Sequence, residues 1–176
     1  MPTRDTTDDL PESIRDRLPE LMRAAVAQGR IGDDPFGCVL AALDDGRIVL
    51  EAGNSAGGDP TAHAEMNALR RAAERGLDPT SLALISTAEP CPMCMAASWW
   101  AKVPVVVFGT SIESLIRFGW TQVDLASGEI LRLARGGPTI QLVGGVLTAE
   151  TDPLYSGGPR SKARPGGHLP GSSGTL

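Results

Sequence analysis

Two short motifs bring residues that can bind a metal close to a residue that can move protons. His63-Ala64-Glu65 is followed later in the chain by Pro90-Cys91-Pro92-Met93-Cys94. One imidazole and two thiolates leave the fourth tetrahedral position of a zinc ion for water or substrate, whereas a structural zinc site is normally closed by four protein ligands. Glu65 is then available as a general acid and base. These residues predict a catalytic Zn2+ site with His63, Cys91 and Cys94 as ligands and Glu65 as the catalytic residue.

Other interpretations of the same residues stay open at this point. Cys91 and Cys94 can form a redox-active C-x-x-C pair, or both can pack as small hydrophobic residues while His63 caps a helix or lies in the core. Neither alternative explains a glutamate next to His63. The chain has only three cysteines and two histidines, which argues against chance placement. The third cysteine, Cys38, lies in an apolar run and is predicted to be a packed strand residue.

The spacing of His63 and Glu65 restricts where the metal can lie. Residues two apart on a helix point to different sides, so these two can share a site only at a helix end. We therefore expect the metal beyond the N-termini of two helices, where positive potential favours thiolates. Zinc would make a bound water a hydroxide nucleophile at neutral pH, with Glu65 as proton shuttle. The alternative for Glu65 is a solvated carboxylate that complements the helix dipole.

Hydrophobic periodicity predicts the elements that hold these motifs. Apolar residues at three- and four-residue spacing over 10–26 predict a helix that ends at Gly29. The apolar runs 36–43 and 47–52, joined by Asp44-Asp45-Gly46, predict an antiparallel hairpin. The later predicted elements are a helix over 61–75, a strand over 82–86, a helix over 91–101, a strand over 103–108, a helix over 112–118 and strands within 129–133 and 139–147. This order predicts an α/β fold, a three-layer α/β/α sandwich with a central mixed sheet of about five strands.

Composition predicts one globular domain. Hydrophobic residues make up 41% of the 176 residues and charged residues 21%, which is typical of soluble proteins. We assign 1–9 as a flexible N-terminus, 10–154 as the zinc-dependent domain and 155–176 as a flexible Gly/Pro/Ser/Arg-rich tail. A formal net charge of −5 argues against broad nucleic-acid binding and favours a small uncharged substrate. The sequence shows no apolar leader and no apolar run of transmembrane length, so we expect a cytoplasmic protein without membrane contact.

The two motifs resemble the H-x-E and P-C-x-x-C pattern of zinc-dependent deaminases. Over residues 35–119 the chain resembles the cytidine deaminase-like superfamily, and it is most similar to the guanine deaminase type in its segments 34–37, 53–54 and 59–65. The resemblance implies hydrolytic deamination of an amino-substituted nucleobase or nucleoside, with a purine of the guanine type as the preferred substrate, by a homodimer. It also implies substrate contacts from the Asn54 side chain and from backbone amides at Ala64 and Cys91.

Several further residues are candidates for substrate contact. Phe36, Trp100 and Trp120 can stack on a planar base, although aromatic residues more often belong to the core. Trp99 and Trp100 are adjacent in a predicted helix, so at most one of them can face the pocket. Asn54 follows a glycine and can equally be an ordinary turn residue that bonds its own backbone.

One sequence difference from the guanine deaminase type concerns recognition of the substrate. Those proteins carry a Gly-Phe-Asp-Asp-like segment whose acid assists catalysis, whereas residues 118–124 here read Phe-Gly-Trp-Thr-Gln-Val-Asp. Asp124 and Glu113 are the candidate replacements for that acid, and the neutral Gln122 suggests different recognition of the base. Tyr155 is the candidate for the C-terminal aromatic residue that often closes these pockets.

Three other functions stay open. Deamination of adenosine in transfer RNA uses the same motifs, but the acidic chain lacks a clear basic stripe for phosphate contacts. Deamination of cytosine or cytidine is also possible, although free cytidine deaminases usually show a glycine and a trailing Arg-Gln around the cysteines. A zinc-stabilised interaction module without activity is the non-enzyme alternative, and such a module would not need Glu65.

Overall fold

Five strands form one mixed sheet in the order β2-β1-β3-β4-β5 in the computed structural model, which describes residues 5–55 and 57–159. The strands are β1 (Gly37–Ala42), β2 (Ile48–Gly53), β3 (Leu82–Ala88), β4 (Val105–Thr110) and β5 (Gln141–Val143). The helices are α1 (Glu12–Ile31), α2 (Ala64–Glu74), α3 (Pro92–Trp100), α4 (Ile112–Arg117), α5 (Ser127–Leu133) and α6 (Thr148–Tyr155), and short 3-10 helices lie at Thr7–Asp9 and Pro79–Ser81.

Strand pairing agrees with the predicted antiparallel hairpin and mixed sheet. β1 is antiparallel to both β2 and β3, whereas β3 and β4, and β4 and β5, run parallel. The β1–β2 turn contains Gly46 at φ +67°, a conformation that favours glycine. Because β3 and β4 are parallel neighbours joined through α3, the carboxyl end of β3 leads directly into the cysteine motif.

The helices cover both faces of the sheet, which confirms the three-layer α/β/α sandwich. Side chains alternate along a strand, so Val39 and Ala41 face the core formed with α1, while Cys38 and Leu40 face the core formed with α2 and α3. Cys38 is fully buried there, as predicted for a packed strand residue. The zinc motifs on α2 and α3 therefore share one face of the sheet.

Helix α1 is longer than predicted. It continues through Gly29 to Ile31, and Gly32 is its C-cap. A Cβ at Gly29 would lie 2.9 Å from the Pro35 carbonyl oxygen. The glycine therefore permits close approach of the segment before β1, and the prediction that it ends the helix is wrong.

The predicted strand within 129–133 is also wrong, because these residues belong to helix α5. Ile130 and Leu131 pack against the core on the α2 and α3 side. Five apolar-rich residues are too few for periodicity to distinguish a helix from a buried strand. The fifth strand is instead β5, within the predicted segment 139–147.

Both predicted flexible ends contain ordered structure. Within 1–9, Thr7–Asp9 is a 3-10 helix and the Asp5 carboxylate accepts a hydrogen bond from the backbone N–H of Leu142. Tyr155, which we assigned to the tail, ends α6 and is fully buried. Residues 1–4 and 160–176 lie outside the described residues. In the described part of the chain, none of the helices combines the length and apolar character that a bilayer span requires.

Candidate active site

The three predicted zinc ligands lie at the N-terminal ends of α2 and α3. His63 is the N-cap of α2, Cys91 is the N-cap of α3, and Cys94 lies within the first turn of α3. α2 thus begins at Ala64, three residues later than predicted, and His63 precedes the first turn. Both caps have extended backbone conformations, as N-cap residues usually do. The two helix ends therefore bring the imidazole and both thiols to one point, as the spacing of the motifs predicts.

The three ligand atoms form a triangle that fits a zinc ion. The distances Cys91 Sγ–His63 Nδ1, Cys94 Sγ–His63 Nδ1 and Cys91 Sγ–Cys94 Sγ are each 3.6 Å. Tetrahedral zinc with bonds of about 2.3 Å to sulfur and about 2.05 Å to nitrogen would place its sulfur atoms roughly 3.8 Å apart and sulfur and nitrogen roughly 3.6 Å apart. The observed triangle agrees with this geometry, and three ligands leave one position for a further ligand.

The electrostatics of the cluster also suit a cation. Hydrogen bonds, first with Cys94 and then with His63, lower the pKa of Cys91 to about 4. The adjacent Cys91 sulfur in turn raises the pKa of Cys94, and its hydrogen bond raises the pKa of His63. Two thiolates at this separation repel each other, and a divalent cation between them would remove that repulsion. Binding of a divalent cation would therefore release the proton of Cys94 and hold the pair as two thiolates.

Glu65 lies beside the ligands in the first turn of α2. Its side chain is 5% exposed, and Oε1 accepts a hydrogen bond of 3.0 Å from the Ser86 hydroxyl on β3. Burial raises the pKa of the Glu65 carboxyl. A raised pKa brings a carboxylic acid closer to the range in which it can both accept and donate a proton near neutral pH. The burial excludes the alternative of a solvated carboxylate at the helix end.

A cavity of about 500 Å³ opens in front of this cluster. Its volume lies within the range of about 300–1,000 Å³ that is usual for small-molecule sites. The polar lining includes His63, Glu65 and Cys91, and the apolar lining includes Phe36, Pro92, Met93, Leu115 and Trp120. Aromatic and aliphatic side chains around a few polar groups suit a planar heterocyclic ligand.

Three of the predicted substrate-contact residues line the cavity and three do not. Asn54, Phe36 and Trp120 are at its wall. Ala64, Trp100 and Asp124 are not part of the cavity wall within the described residues. Ala64 is fully buried in the core below, and Trp100 is 76% exposed because it lies on the side of α3 opposite the buried Cys94 and Ser98. Asp124 is exposed outside the cavity.

The predicted replacements for the second acid do not reach the site either. Glu113 and Asp124 are both exposed, and neither is part of the cavity lining in the described chain. The acids that line it besides Glu65 are Asp34 and Glu89, which sequence reasoning missed. Glu89 follows a buried strand and directly precedes the cysteine motif, and that position was an available signal.

Tyr155 supports the cavity wall from behind. Its ring packs 5.0 Å from Phe36, centroid to centroid, and its carbonyl oxygen accepts a hydrogen bond from the Trp120 indole. The Tyr155 hydroxyl donates to Thr87 on β3. Phe36 and Trp120 also contact each other edge to face at 5.1 Å. The C-terminal aromatic residue therefore fixes the aromatic side chains at the wall, but it does not line the cavity within the described residues.

Glu89 connects the cysteine motif to two helix N-termini. Its Oε2 accepts a 2.9 Å hydrogen bond from the backbone N–H of Ile112 at the start of α4, and its Oε1 accepts one of 2.7 Å from Ser127 at the start of α5. The Ser127 hydroxyl donates to the carbonyl oxygen of Pro90. One buried carboxylate therefore satisfies two helix ends beside the metal ligands.

Glu89→Gln is expected to lower the free energy of unfolding by about 1–3 kcal/mol, because one amide oxygen cannot replace two carboxylate oxygens and a buried N–H loses its acceptor. For a domain of this size, the melting temperature should fall by roughly 2–4 °C per kcal/mol. Thermal unfolding of the zinc-loaded protein measures the effect. Glu113→Gln, an exposed glutamate in α4, is the matched control and should stay near wild type. Equal melting temperatures for the two variants would contradict the role of Glu89.

Comparison with known proteins gives consistent matches. The family model for the cytidine and deoxycytidylate deaminase zinc-binding region matches residues 14–110. A probable cytosine deaminase of Schizosaccharomyces pombe is 36% identical over 87 residues, covering 49% of this chain and 53% of that protein. Guanine deaminase of Bacillus subtilis is 41% identical over 78 residues, covering 42% of this chain and 48% of that protein. The chain therefore spans about half the length of these curated relatives.

The fold has solved counterparts. The structure of a guanine deaminase from Nitrosomonas europaea aligns with a TM-score of 0.62 over 79% of this chain and 80% of that chain, at 21% sequence identity. This likeness supports the fold. The family match covers more than half of the chain, including both zinc motifs. The chain thus belongs to the cytidine and deoxycytidylate deaminase zinc-binding family.

Proposed function

We propose that this chain is a zinc-dependent hydrolase that deaminates a small amino-substituted nucleobase or nucleoside, with a purine as the preferred class. One observation carries the proposal. Three zinc-ligand atoms 3.6 Å apart and the buried carboxyl of Glu65 lie together at one end of a cavity of about 500 Å³. An open metal position next to a proton-carrying group is what hydrolysis of a carbon–nitrogen bond requires.

His63, Cys91 and Cys94 would hold the zinc ion. When bound, zinc supplies an acidified water molecule as the nucleophile at neutral pH. The three cysteines of the chain are free thiols, which suits a reducing compartment, and we propose the cytoplasm. The reaction exchanges the amine of the substrate for the oxygen of water and releases ammonia.

Glu65 would carry the protons. Its carboxylate accepts a proton from the attacking water and delivers it to the ring nitrogen beside the amine-bearing carbon. A second proton then passes through the carboxyl to the amine, which leaves as ammonia. The hydrogen bond from Ser86 holds one carboxyl oxygen in place, so the group keeps a fixed orientation during both transfers.

Asn54 would orient the substrate. Its side chain is 6% exposed, and its carbonyl oxygen Oδ1 is buried without a hydrogen-bond partner among the described residues. Buried polar atoms are nearly always hydrogen-bonded, so such an acceptor suits a substrate N–H or O–H donor. Phe36 and Trp120 at the same wall offer faces or edges to a planar ring.

Similarity to a guanine deaminase favours a purine as the substrate. Guanine deaminase of B. subtilis is 41% identical over the matched residues, and the segment 59–65 resembles the guanine deaminase type. The relative from S. pombe, named a probable cytosine deaminase, keeps cytosine as the second candidate. Transfer RNA is disfavoured by the net charge of −5, because phosphate contacts need basic side chains.

Ammonia release from a panel of aminated heterocycles tests the proposal. The panel is guanine, guanosine, adenine, adenosine, cytosine and cytidine with zinc-loaded protein, and the Glu65→Gln protein is the control for contaminating activity. Release from a purine that is lost in the control supports the proposed function, and release from cytosine alone replaces the substrate. No release from any compound, with zinc bound, would favour the inactive zinc module or a transfer RNA substrate.

We also propose that the protein is a homodimer, as the family resemblance implies. Trp100 on α3 is 76% exposed and stacks edge to face on Trp99, and Leu133 on the neighbouring helix α5 is 55% exposed. Helices α3 and α5 pack against each other, and large exposed apolar side chains often mark a contact surface. The second copy of the chain is the occupant that we assign to this surface.

Trp100→Ser is expected to shift the protein from dimer to monomer at micromolar concentration, because exposed tryptophans at interfaces often contribute 2 kcal/mol or more, as a rough scale. Sedimentation velocity measures the mass. Ile31→Ser is the matched control, since Ile31 is 78% exposed at the end of α1, on the other side of the sheet. A monomeric wild-type protein, or a dimer that persists in the Trp100→Ser variant, would refute this interface.

A further inference from the structure

The charged groups at the cavity wall are almost all acidic. Asp34, Glu65 and Glu89 line it, and within the described chain His63 is the only basic side chain there. His63 is a proposed zinc ligand, and the two thiolates would balance the charge of a zinc ion. The wall itself is therefore a poor environment for an anionic group on the substrate.

Asp34 is the acid of this wall that belongs neither to the metal-ligand cluster nor to the helix-end contacts of Glu89. Both carboxylate oxygens of Glu89 accept hydrogen bonds from backbone N–H groups, and Glu65 lies next to the metal ligands. Asp34 is only partly buried at the cavity.

The position of Asp34 is fixed by its neighbour. The amide nitrogen of Asn54 donates a 3.3 Å hydrogen bond to Asp34 Oδ2, and the Asn54 backbone N–H donates to the carbonyl oxygen of Phe36. An ionised carboxylate only accepts hydrogen bonds, so Asn54 must present its amide nitrogen to Asp34. These contacts hold a negative charge at the wall between two proposed substrate-contact residues.

We propose that Asp34 makes the cavity selective for an uncharged base or nucleoside over the corresponding 5′-monophosphate. The carboxylate can accept a hydrogen bond from an N–H or hydroxyl donor of an uncharged substrate. It repels a phosphate, which carries roughly −1.5 to −2 charges at neutral pH. This inference rests on the proposed deaminase function and names the substrate class of the same site.

Charge variants of Asp34 test the proposal. Guanine, guanosine and guanosine 5′-monophosphate are assayed for ammonia release, or the same three forms of whichever base the panel identifies. We expect the wild-type protein to reject the monophosphate. Asp34→Asn should raise kcat/KM for the monophosphate relative to the uncharged form by roughly tenfold, as for removal of one nearby charge. Asp34→Lys should raise this ratio further, and Asp34→Glu should keep the wild-type preference.

Two controls separate a local charge effect from a structural one. Asp33→Asn removes the same charge from the adjacent exposed residue, which does not belong to the cavity lining, and should leave the selectivity unchanged. If charge causes the preference for the uncharged substrate over the monophosphate, that preference should be smaller at about 500 mM salt than at about 20 mM salt, because salt screens partly exposed charges. A purely steric preference should not depend on salt.

The outcomes distinguish this inference from the proposed function. If the wild-type protein deaminates the monophosphate as well as the uncharged forms, the inference fails while the deaminase function stands. If Asp34→Asn and Asp34→Lys reject the monophosphate as strongly as wild type at both salt concentrations, the selectivity does not come from Asp34. If none of the compounds is deaminated although zinc is bound, the proposed function fails first.

Discussion

Glu65→Gln is expected to reduce kcat for deamination by roughly a hundred- to ten-thousand-fold, the usual contribution of a positioned general acid and base. Glutamine keeps the size of the side chain and its carbonyl oxygen can still accept the hydrogen bond from Ser86. It cannot accept a proton from water or deliver one to the substrate. The loss should therefore appear in kcat, with a smaller change in KM.

Measuring the zinc content of the Glu65→Gln protein distinguishes a loss of proton transfer from a loss of the metal site. Glu65 supplies none of the three atoms of the ligand triangle, so the Glu65→Gln variant should bind zinc as the wild type does. Glu74→Gln, an exposed glutamate at the other end of the same helix, is the matched control and should leave kcat unchanged. A Glu65→Gln protein that keeps zinc and deaminates at the wild-type rate would refute the assignment of Glu65.

The geometry of the metal cluster was predictable from the sequence because it depends on local structure. A proline follows Cys91 at the first position of α3, and the spacing of three residues between Cys91 and Cys94 puts both sulfurs on one side of a helical turn. The spacing of His63 and Glu65 likewise allowed a shared site only at a helix end. The local sequence signals that determine where α2 and α3 begin therefore also determine where the ligand side chains lie.

The cavity wall was only partly predictable, because it combines segments far apart in the chain. Asp34 precedes β1, Glu89 follows β3, and residues 120–123 belong to the loop between α4 and α5. No local periodicity relates these segments. The interpretation of Asp124 as the second acid rested on alignment with a motif, and a shift of only a few residues along a loop changes which side chain faces the cavity.

The wrong prediction of a strand at residues 129–133, which form part of α5, also results from contacts between distant parts of the chain. Its apolar residues pack beside α3, and the Ser127 N–H at its start is satisfied by Glu89, a residue 38 positions away. That tertiary contact makes a short helix favourable where the sequence alone is ambiguous. The same contact places α5 beside the cysteine motif, so the mispredicted element is one that supports the site.

Cys91→Ser is expected to lower zinc content and stability together, because metal binding is coupled to folding. Loss of a mere hydrogen-bond partner of a metal ligand commonly weakens binding by about 10–100-fold, so loss of a thiolate ligand should cost at least about 100-fold. At a zinc concentration that saturates the wild-type site, a hundredfold loss of affinity removes about 2.7 kcal/mol of stabilisation. The melting temperature should then fall by roughly 5–10 °C.

The difference in melting temperature between zinc-loaded and chelator-treated protein isolates the contribution of the metal. This difference should be large for wild type and small for Cys91→Ser. Cys38→Ala is the matched control, because Cys38 is fully buried in β1 on the same face of the sheet but is not part of the ligand triangle. It should lower both melting temperatures by a similar amount and keep one zinc ion per chain. If Cys91→Ser retains wild-type zinc stoichiometry and the wild-type difference, Cys91 is not a ligand, and the site would have to be rebuilt from other donors.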